Sequence, residues 1–111
     1  MDLSLLPAPP STEGRAPEIF IASGTNVGQA AGLIARLLES NGLVTIGGMG
    51  PIATSNALKA LIIARSYLTE SSEGRPLVAF VSSEKFREKD EDRTRMVMSC
   101  TWGSADGARA H

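Results

Sequence analysis

The alternation of apolar and polar residues in the first half of the chain predicts a strand, a helix and a second strand. Residues 18–22 form a short apolar run closed by turn residues, which is typical of a strand. Asn26 is a candidate N-cap for a helix over 27–40, and Gly42 is a candidate left-handed cap at its end. The apolar stripe of this helix consists of Ala30, Leu33, Ile34, Leu37 and Leu38. A second strand is predicted over 43–46.

A second helix is predicted over residues 52–68, and it is apolar on more than one side. Its inward stripe consists of Ala53, Ala57, Ala60, Leu61, Ala64 and Tyr67. Leu58, Ile62 and Ile63 point elsewhere. A helix with two apolar sides is usually buried on both, and in so short a chain a second subunit is the simplest cover. These three residues therefore predict a homodimer interface.

The second half of the chain predicts two strands joined by a charged hairpin. Residues 77–81 are apolar without alternation, which indicates a strand covered on both faces. Residues 95–102 alternate, with Met96, Met98, Cys100 and Trp102 on one side. In the intervening segment, 84–95, ten of the twelve residues are charged. Apolar runs on either side of such a segment favour a long solvated hairpin.

The predicted order is thus β-α-β-α-β-β, which favours an α/β (α+β) two-layer sandwich. Helical crossovers and the closing hairpin give a four-stranded mixed sheet with two helices on one face. Residues 18–102 form the predicted domain. The four prolines and the small polar residues of 1–17 indicate a flexible lead-in, and 103–111 is predicted to be a disordered tail.

Composition narrows the class of protein. Eleven basic and twelve acidic residues give a net charge of −1, so no basic field indicates a nucleic-acid partner. Cys100 is the single cysteine of the chain, which excludes an intramolecular disulfide and favours a reducing, cytoplasmic location. No apolar run approaches the roughly 20 residues that span a bilayer, so no membrane association is expected.

The glycine turn, residues 46–51, is the most informative short segment. It joins the second strand to the second helix through three glycines, and Pro51 falls at the start of that helix. Gly48 and Gly50 leave main-chain amides bare at a helix N-terminus, where an anion is stabilised. The alternative interpretation is a compact strand-to-helix connection without a ligand. The turn has neither a GxGxxG nor a P-loop pattern.

Several segments at fixed joint spacing resemble a known family. They are Ala31-Gly32, Gly42, Ile46 with Gly48 and Gly50, Ala57-Leu58-Lys59-Ala60-Leu61, Ile63-Ala64-Arg65 and Glu91-Asp92-Arg93-Thr94. Together they resemble the stage V sporulation protein S family, a branch of the Alba-like superfamily, over residues 19–100. The resemblance implies an Alba-like fold, a homodimer, nucleic-acid binding and a regulatory role in bacterial sporulation and division. It implies no catalytic activity.

The sequence departs from the Alba-like pattern where phosphate contacts would be made. The loop after the first strand often carries lysine in Alba-like proteins, whereas Gly24 stands here. The turn after the second strand is basic in archaeal Alba proteins, whereas Met49 and Pro51 stand here. Each lost phosphate contact lowers both the affinity for nucleic acid and its salt dependence.

The candidate nucleic-acid-binding residues lie in two loops, the second helix and the hairpin. They are Thr25, Asn26, Gly48, Gly50, Lys59, Lys85, Arg87, Lys89 and Arg93. Thr25 and Asn26 could instead cap the first helix, and Lys59 could be a solvated surface residue. The five cations of the hairpin face five carboxylates in the same segment, which is also typical of a solubilising surface or a protein contact. Phe86 could stack on a base or pack against the sheet.

Three functions follow as hypotheses, none of them enzymatic, because no catalytic constellation, metal-ligand spacing or cofactor motif is present in the sequence. The first is a small dimeric protein that binds DNA or RNA without sequence selectivity. The second is a regulatory protein–protein interaction module that docks through the charged hairpin and has lost nucleic-acid binding. The third is a small-molecule binder that uses the glycine turn.

Overall fold

All six predicted elements are present in the predicted order. A computed structural model describes residues 17–70 and 72–103. Its elements are β1 (Glu18–Ile21), α1 (Val27–Asn41), β2 (Leu43–Gly48), α2 (Gly50–Tyr67), β3 (Leu77–Glu88) and β4 (Glu91–Trp102). Residues 1–16 and 104–111 lie outside the described residues, so the flexible lead-in and the disordered tail stay predictions.

The strands form one sheet in the order β1-β2-β4-β3. The pair β1–β2 is parallel, whereas β2–β4 and β3–β4 are antiparallel. The two helices pack against each other and on the same side of the sheet, α1 against β2 and α2 against β1, β2 and β4. The predicted two-layer α+β sandwich with a mixed four-stranded sheet is confirmed.

The core lies between the helices and the sheet. From the strands it takes Ile19, Ile21, Val44, Ile46, Met98 and Cys100, and from the helices mostly small side chains: Ala31, Ala35, Ala57, Ala60 and Ala64. Alanine at these positions lets the two helices approach each other and the sheet closely. The predicted alternation of β4 is confirmed, because Met98 and Cys100 are buried against the helices.

Both predicted caps of α1 are present. The Oδ1 atom of Asn26 accepts a hydrogen bond from the Gln29 amide at 2.9 Å. At the other end Gly42 has a φ of 71°, and its amide donates to the Leu38 carbonyl at 2.9 Å. These side-chain and left-handed caps satisfy main-chain groups that the helix itself cannot pair.

The predicted apolar stripes of the helices are wrong at two residues, which are exposed. Tyr67 is 60% exposed, and Leu68, four residues after Ala64, covers the core in its place. In α1, Leu33 is 41% exposed, because the buried stripe is centred one position further along, on Ile34. Helical periodicity fixes the stripe only to about one residue, since neighbours on its border are separated by roughly 100°.

The prediction that β3 is covered on both faces is also wrong. The strand lies at the edge of the sheet, and Val81 is 70% exposed. Strand order is the reason, because β4 occupies the position next to β2 and the helices pack over β1, β2 and β4. An apolar edge strand is therefore left open beside α2.

Candidate functional site

Two glycines shape the turn between β2 and α2, for different reasons. At Gly48 the main chain passes so close to β1 that an added Cβ would lie 2.9 Å from the Ile21 carbonyl oxygen. Gly50 has a φ of +86°, which side-chain-bearing residues rarely adopt. Pro51 follows in the first turn of α2. Close packing and backbone conformation are thus sufficient reasons for both glycines.

The side chains of Thr25 and Asn26 already serve the loop between β1 and α1. The Thr25 hydroxyl oxygen accepts a hydrogen bond from the Ala22 amide at 2.7 Å. Asn26 caps α1 through the Gln29 amide. Both side-chain oxygens are engaged in stabilising the loop, which favours the capping interpretation over direct phosphate contact.

Asn56 is a structural residue of this region that sequence reasoning missed. From α2 its Nδ2 donates to the carbonyls of Ala22 at 3.3 Å and Ser23 at 3.2 Å. This side chain ties the β1–α1 loop to the second helix. A single asparagine within a helical run carries no signal for a partner more than thirty positions away.

The turns and the hairpin share one end of the molecule. β1, β2 and β3 run in the same direction, so β1 and β2 end, α1 and α2 begin, and β3 leaves the sheet at the same edge. Gly48 pairs with Met96, which pairs with Ser83, so the hairpin 84–95 extends beyond the end of β2. Five residues on each strand give it a reach of about 17 Å. We call this end the hairpin end.

Eight of the nine candidate nucleic-acid-binding residues lie at the hairpin end, in the two turns or spread along the length of the hairpin. They are Thr25, Asn26, Gly48, Gly50, Lys85, Arg87, Lys89 and Arg93. Lys59 is exposed but lies nine positions into α2, about 13 Å from Gly50 along the helix axis. At that distance Lys59 and the glycine turn would contact different phosphates.

Arg65 belongs to the opposite end of α2. Its guanidinium lies 5.7 Å from the centroid of the Trp102 ring, and Arg75 lies 5.4 Å from the same centroid. The Arg65 Nη2 also donates to the Arg75 carbonyl at 3.1 Å. These contacts join α2 to the end of β4, so Arg65 has a structural role away from the hairpin end.

The charges of the hairpin are sorted by face. Residues paired across β3 and β4 share a face, and successive residues alternate between faces. The face on the helix side carries Lys85, Arg87 and Asp92, which gives it a net charge of +1. The opposite face, which we call the open face, carries Glu84, Glu88, Glu91, Arg93 and Arg95 around Phe86, which gives it a net charge of −1. The balance of five cations and five carboxylates therefore conceals two unlike surfaces, which the period-two alternation of the sequence could have revealed.

The two ion pairs nearer the tip of the hairpin are long and exposed. Arg87 Nη1 lies 3.7 Å from the Asp92 carboxylate, and Arg93 Nη1 lies 3.9 Å from that of Glu88. Such pairs contribute roughly 0–1 kcal/mol, so both arginines can exchange partners. Among residues 17–70 and 72–103, no ion pair within 4.0 Å involves Lys85 or Lys89.

Arg95 is held more firmly, at the base of the open face. Its guanidinium lies 2.9 Å from the Glu18 carboxylate of β1 and donates to Glu84 of β3 at 3.2 Å. The hydrogen bond to Glu84, together with the charge of Glu18, raises the pKa of Arg95. Gly47 leaves room for it, because an added Cβ would meet Arg95 Nη1 at 3.3 Å. With two carboxylate partners, Arg95 offers no free charge to a phosphate.

Within the described part of the chain, no group of three His, Cys, Asp or Glu side chains could hold a metal ion. Burial raises the pKa of the Cys100 thiol to about 12, so this cysteine is no nucleophile at neutral pH. No described helix is long and apolar enough to cross a membrane.

The fold and site define a small two-layer α+β protein whose distinguishing surface is a projecting charged hairpin. The chain belongs to the stage V sporulation protein S (SpoVS) family, whose model matches residues 18–102. Its structure is also similar to that of Alba from Thermoplasma volcanium, with a TM-score of 0.48 and 11% sequence identity over 78% of this chain and 99% of that one. A likeness at this level says nothing of what this chain binds. Among proteins with curated descriptions, none matches the sequence.

Proposed function

We propose that the protein is a homodimeric, cytoplasmic regulator that binds DNA or RNA through phosphate contacts at the hairpin end, without sequence selectivity. One observation carries the proposal. Two helix N-termini, neither with an acidic residue in its first turn, lie at the same end as Lys85 and Lys89, which have no ion-pair partner among the described residues. Helix N-termini and unpaired lysines both favour a polyanion.

Anisotropy titrations of labelled duplex DNA and RNA at two salt concentrations test this proposal. The variant Lys85→Ala/Lys89→Ala should bind more weakly, with the salt slope on duplex DNA reduced by about 1.8 for two lost phosphate contacts. Arg36→Ala is the matched control, because Arg36 is an exposed cation on α1 outside the hairpin end. Absence of micromolar binding at low salt, or an equal loss in the control, would refute the proposal.

The proposed dimer would use the apolar groove between α2 and the edge strand β3. Leu58 is 49% exposed and Ile62 70%, and both line this groove of about 330 Å³ together with Leu77 and Ala79. Ile63 lies half-buried against the protein's own core, so it would contribute less than the other two. Burying exposed leucine and isoleucine in a partner's matching face is favourable at about 25 cal/mol per Å².

Light scattering after size-exclusion chromatography tests the dimer. Ile62→Asp should shift the mass toward one protomer, whereas Leu33→Asp, an exposed leucine on α1, should leave it unchanged. A wild-type mass of one protomer at micromolar concentration would contradict the proposed assembly.

The second candidate function is a regulatory protein–protein interaction module without a nucleic-acid role. The open face of the hairpin favours it, because its excess carboxylates repel a phosphate backbone. If nucleic acid does not bind at low salt while a protein partner is retained by the Lys85→Ala/Lys89→Ala variant, this function replaces the first.

A further inference from the structure

A groove on the open face lies at the corner where the hairpin leaves the sheet. It has a volume of about 370 Å³. It is lined by Phe20, Met49, Glu84, Phe86, Glu88 and Arg95. Phe20 is 54% exposed, although it lies in a strand with a buried opposite face. This groove is distinct from the α2–β3 groove, which lies on the helix side of the sheet.

The floor of the groove is fixed by the contacts of Arg95. Its guanidinium lies over Gly47 and is held between Glu18 at 2.9 Å and Glu84 at 3.2 Å. These two contacts join the outer strands β1 and β3 across the sheet. The depression between the two phenylalanines is therefore built into the folded sheet and does not depend on a mobile loop.

The charge around the groove excludes one class of ligand and favours another. The Glu18 and Glu84 carboxylates share the single charge of Arg95, Glu88 pairs with Arg93 at 3.9 Å, and Glu91 lies opposite Glu88 on the same face. Four carboxylates against two guanidiniums leave a net charge of −2. A phosphate backbone is repelled by such a surface, whereas a cation is attracted.

The lining matches the two parts of a long basic side chain. Phenylalanine rings and the Met49 thioether suit an aliphatic stem, and the ring faces also attract a cation. The carboxylates of Glu84 and Glu88, which are 56% and 44% exposed, lie at the rim, where an ammonium or guanidinium head would remain partly hydrated. The volume is near the lower end of the range for ligand pockets, roughly 300–1,000 Å³, which suits one or two side chains.

We propose that this groove binds an extended segment of a partner protein that carries lysine or arginine next to an apolar residue. The proposal goes beyond nucleic-acid binding and does not rest on it, because the two surfaces lie on opposite faces of the hairpin. A single protomer could therefore hold a polyanion on the helix side of the hairpin and a basic protein segment on the open face.

The test uses the full chain and a fluorescein-labelled ten-residue peptide of alternating arginine and leucine, read by anisotropy. A glutamine–leucine peptide of the same length is the charge control. The arginine peptide should bind at least tenfold more tightly than the glutamine peptide, and Phe20→Ala and Phe86→Ala should each weaken it at least fivefold. Because the Phe20 side chain is half-exposed, Phe20→Ala should leave the fold intact. It therefore tests the groove even if Phe86→Ala lowers the melting temperature.

Lys85→Ala is the matched variant on the opposite face. Lys85→Ala should weaken nucleic-acid binding but change the affinity for the peptide less than twofold. Phe86→Ala should weaken peptide binding and leave nucleic-acid binding unchanged. Wild-type peptide affinity in both phenylalanine variants would overturn the proposal. Loss of single-stranded oligonucleotide binding on Phe86→Ala would indicate base stacking instead, and a lower oligomer mass in Phe20→Ala would indicate a second copy as the occupant. Either result would also overturn it.

Discussion

Replacing Gly48 with alanine would place a methyl group 2.9 Å from the main-chain oxygen of Ile21. Ordinary carbon–oxygen contacts begin near 3.3 Å, so β1 or the turn must move by about 0.4 Å. Movement in other directions is resisted by Ala53 Cβ at 3.4 Å and Met96 Cε at 3.5 Å from the same position. The nearest atom belongs to the backbone of a paired strand, so no side-chain rotation relieves the contact.

Overpacking of this kind costs about 1–3 kcal/mol. For a domain of this size, each kcal/mol corresponds to about 4–8 °C in the melting temperature. Gly48→Ala should therefore lower the melting temperature by roughly 5–20 °C. Urea denaturation followed by far-UV circular dichroism measures the free energy of unfolding, and an unchanged m-value would show that the unfolded states remain comparable.

Gly32→Ala is the matched control, because an added Cβ at this helical position has no neighbour within 4 Å. Alanine is a better helix former than glycine, so this change should raise the free energy of unfolding by about 0.5–1 kcal/mol. Opposite signs for the two variants would establish close approach at Gly48 and open space at Gly32. If Gly48→Ala were as stable as the wild type, the argument that this position has no room for a side chain would be refuted.

Three further changes test the local structure. Asp90→Gly should stabilise the hairpin by up to about 1 kcal/mol in a thermal melt, because Asp90 has a φ of 64° in the two-residue turn; destabilisation would contradict this. Asn26→Ala should lower the free energy of unfolding by about 0.5–2 kcal/mol in urea, because the Gln29 amide loses its cap, and no change would show that the cap is dispensable. Burial raises the pKa of Cys100 to about 12, against about 8.5 when unfolded, so only the unfolded thiol ionises between these values. The free energy of unfolding relative to Cys100→Ala should therefore be constant below pH ~8.5 and decline above it. A thiol reagent at pH ~8 should label Cys100 only in denatured protein.

The local physics of the sequence determined the elements and their ends. Asn26 and Gly42 provide caps through their own side chain or backbone freedom, so both could be recognised without any tertiary information. The alternation of β4 could be recognised in the same way, because one face of a strand must be apolar when only that face is covered. Side chains of the hairpin also alternate between faces, so the sequence alone determines that its two faces carry different charges.

Only the tertiary structure decided how these elements meet. The order β1-β2-β4-β3 leaves Val81 exposed at an edge, although its segment is as apolar as a central strand. The Arg95–Glu18 ion pair joins residues near opposite ends of the domain's sequence. The close approach of Gly48 to Ile21 likewise joins two separate strands. Such contacts depend on strand pairing between distant segments, and periodicity records only which face of an element is apolar, not which neighbour covers it.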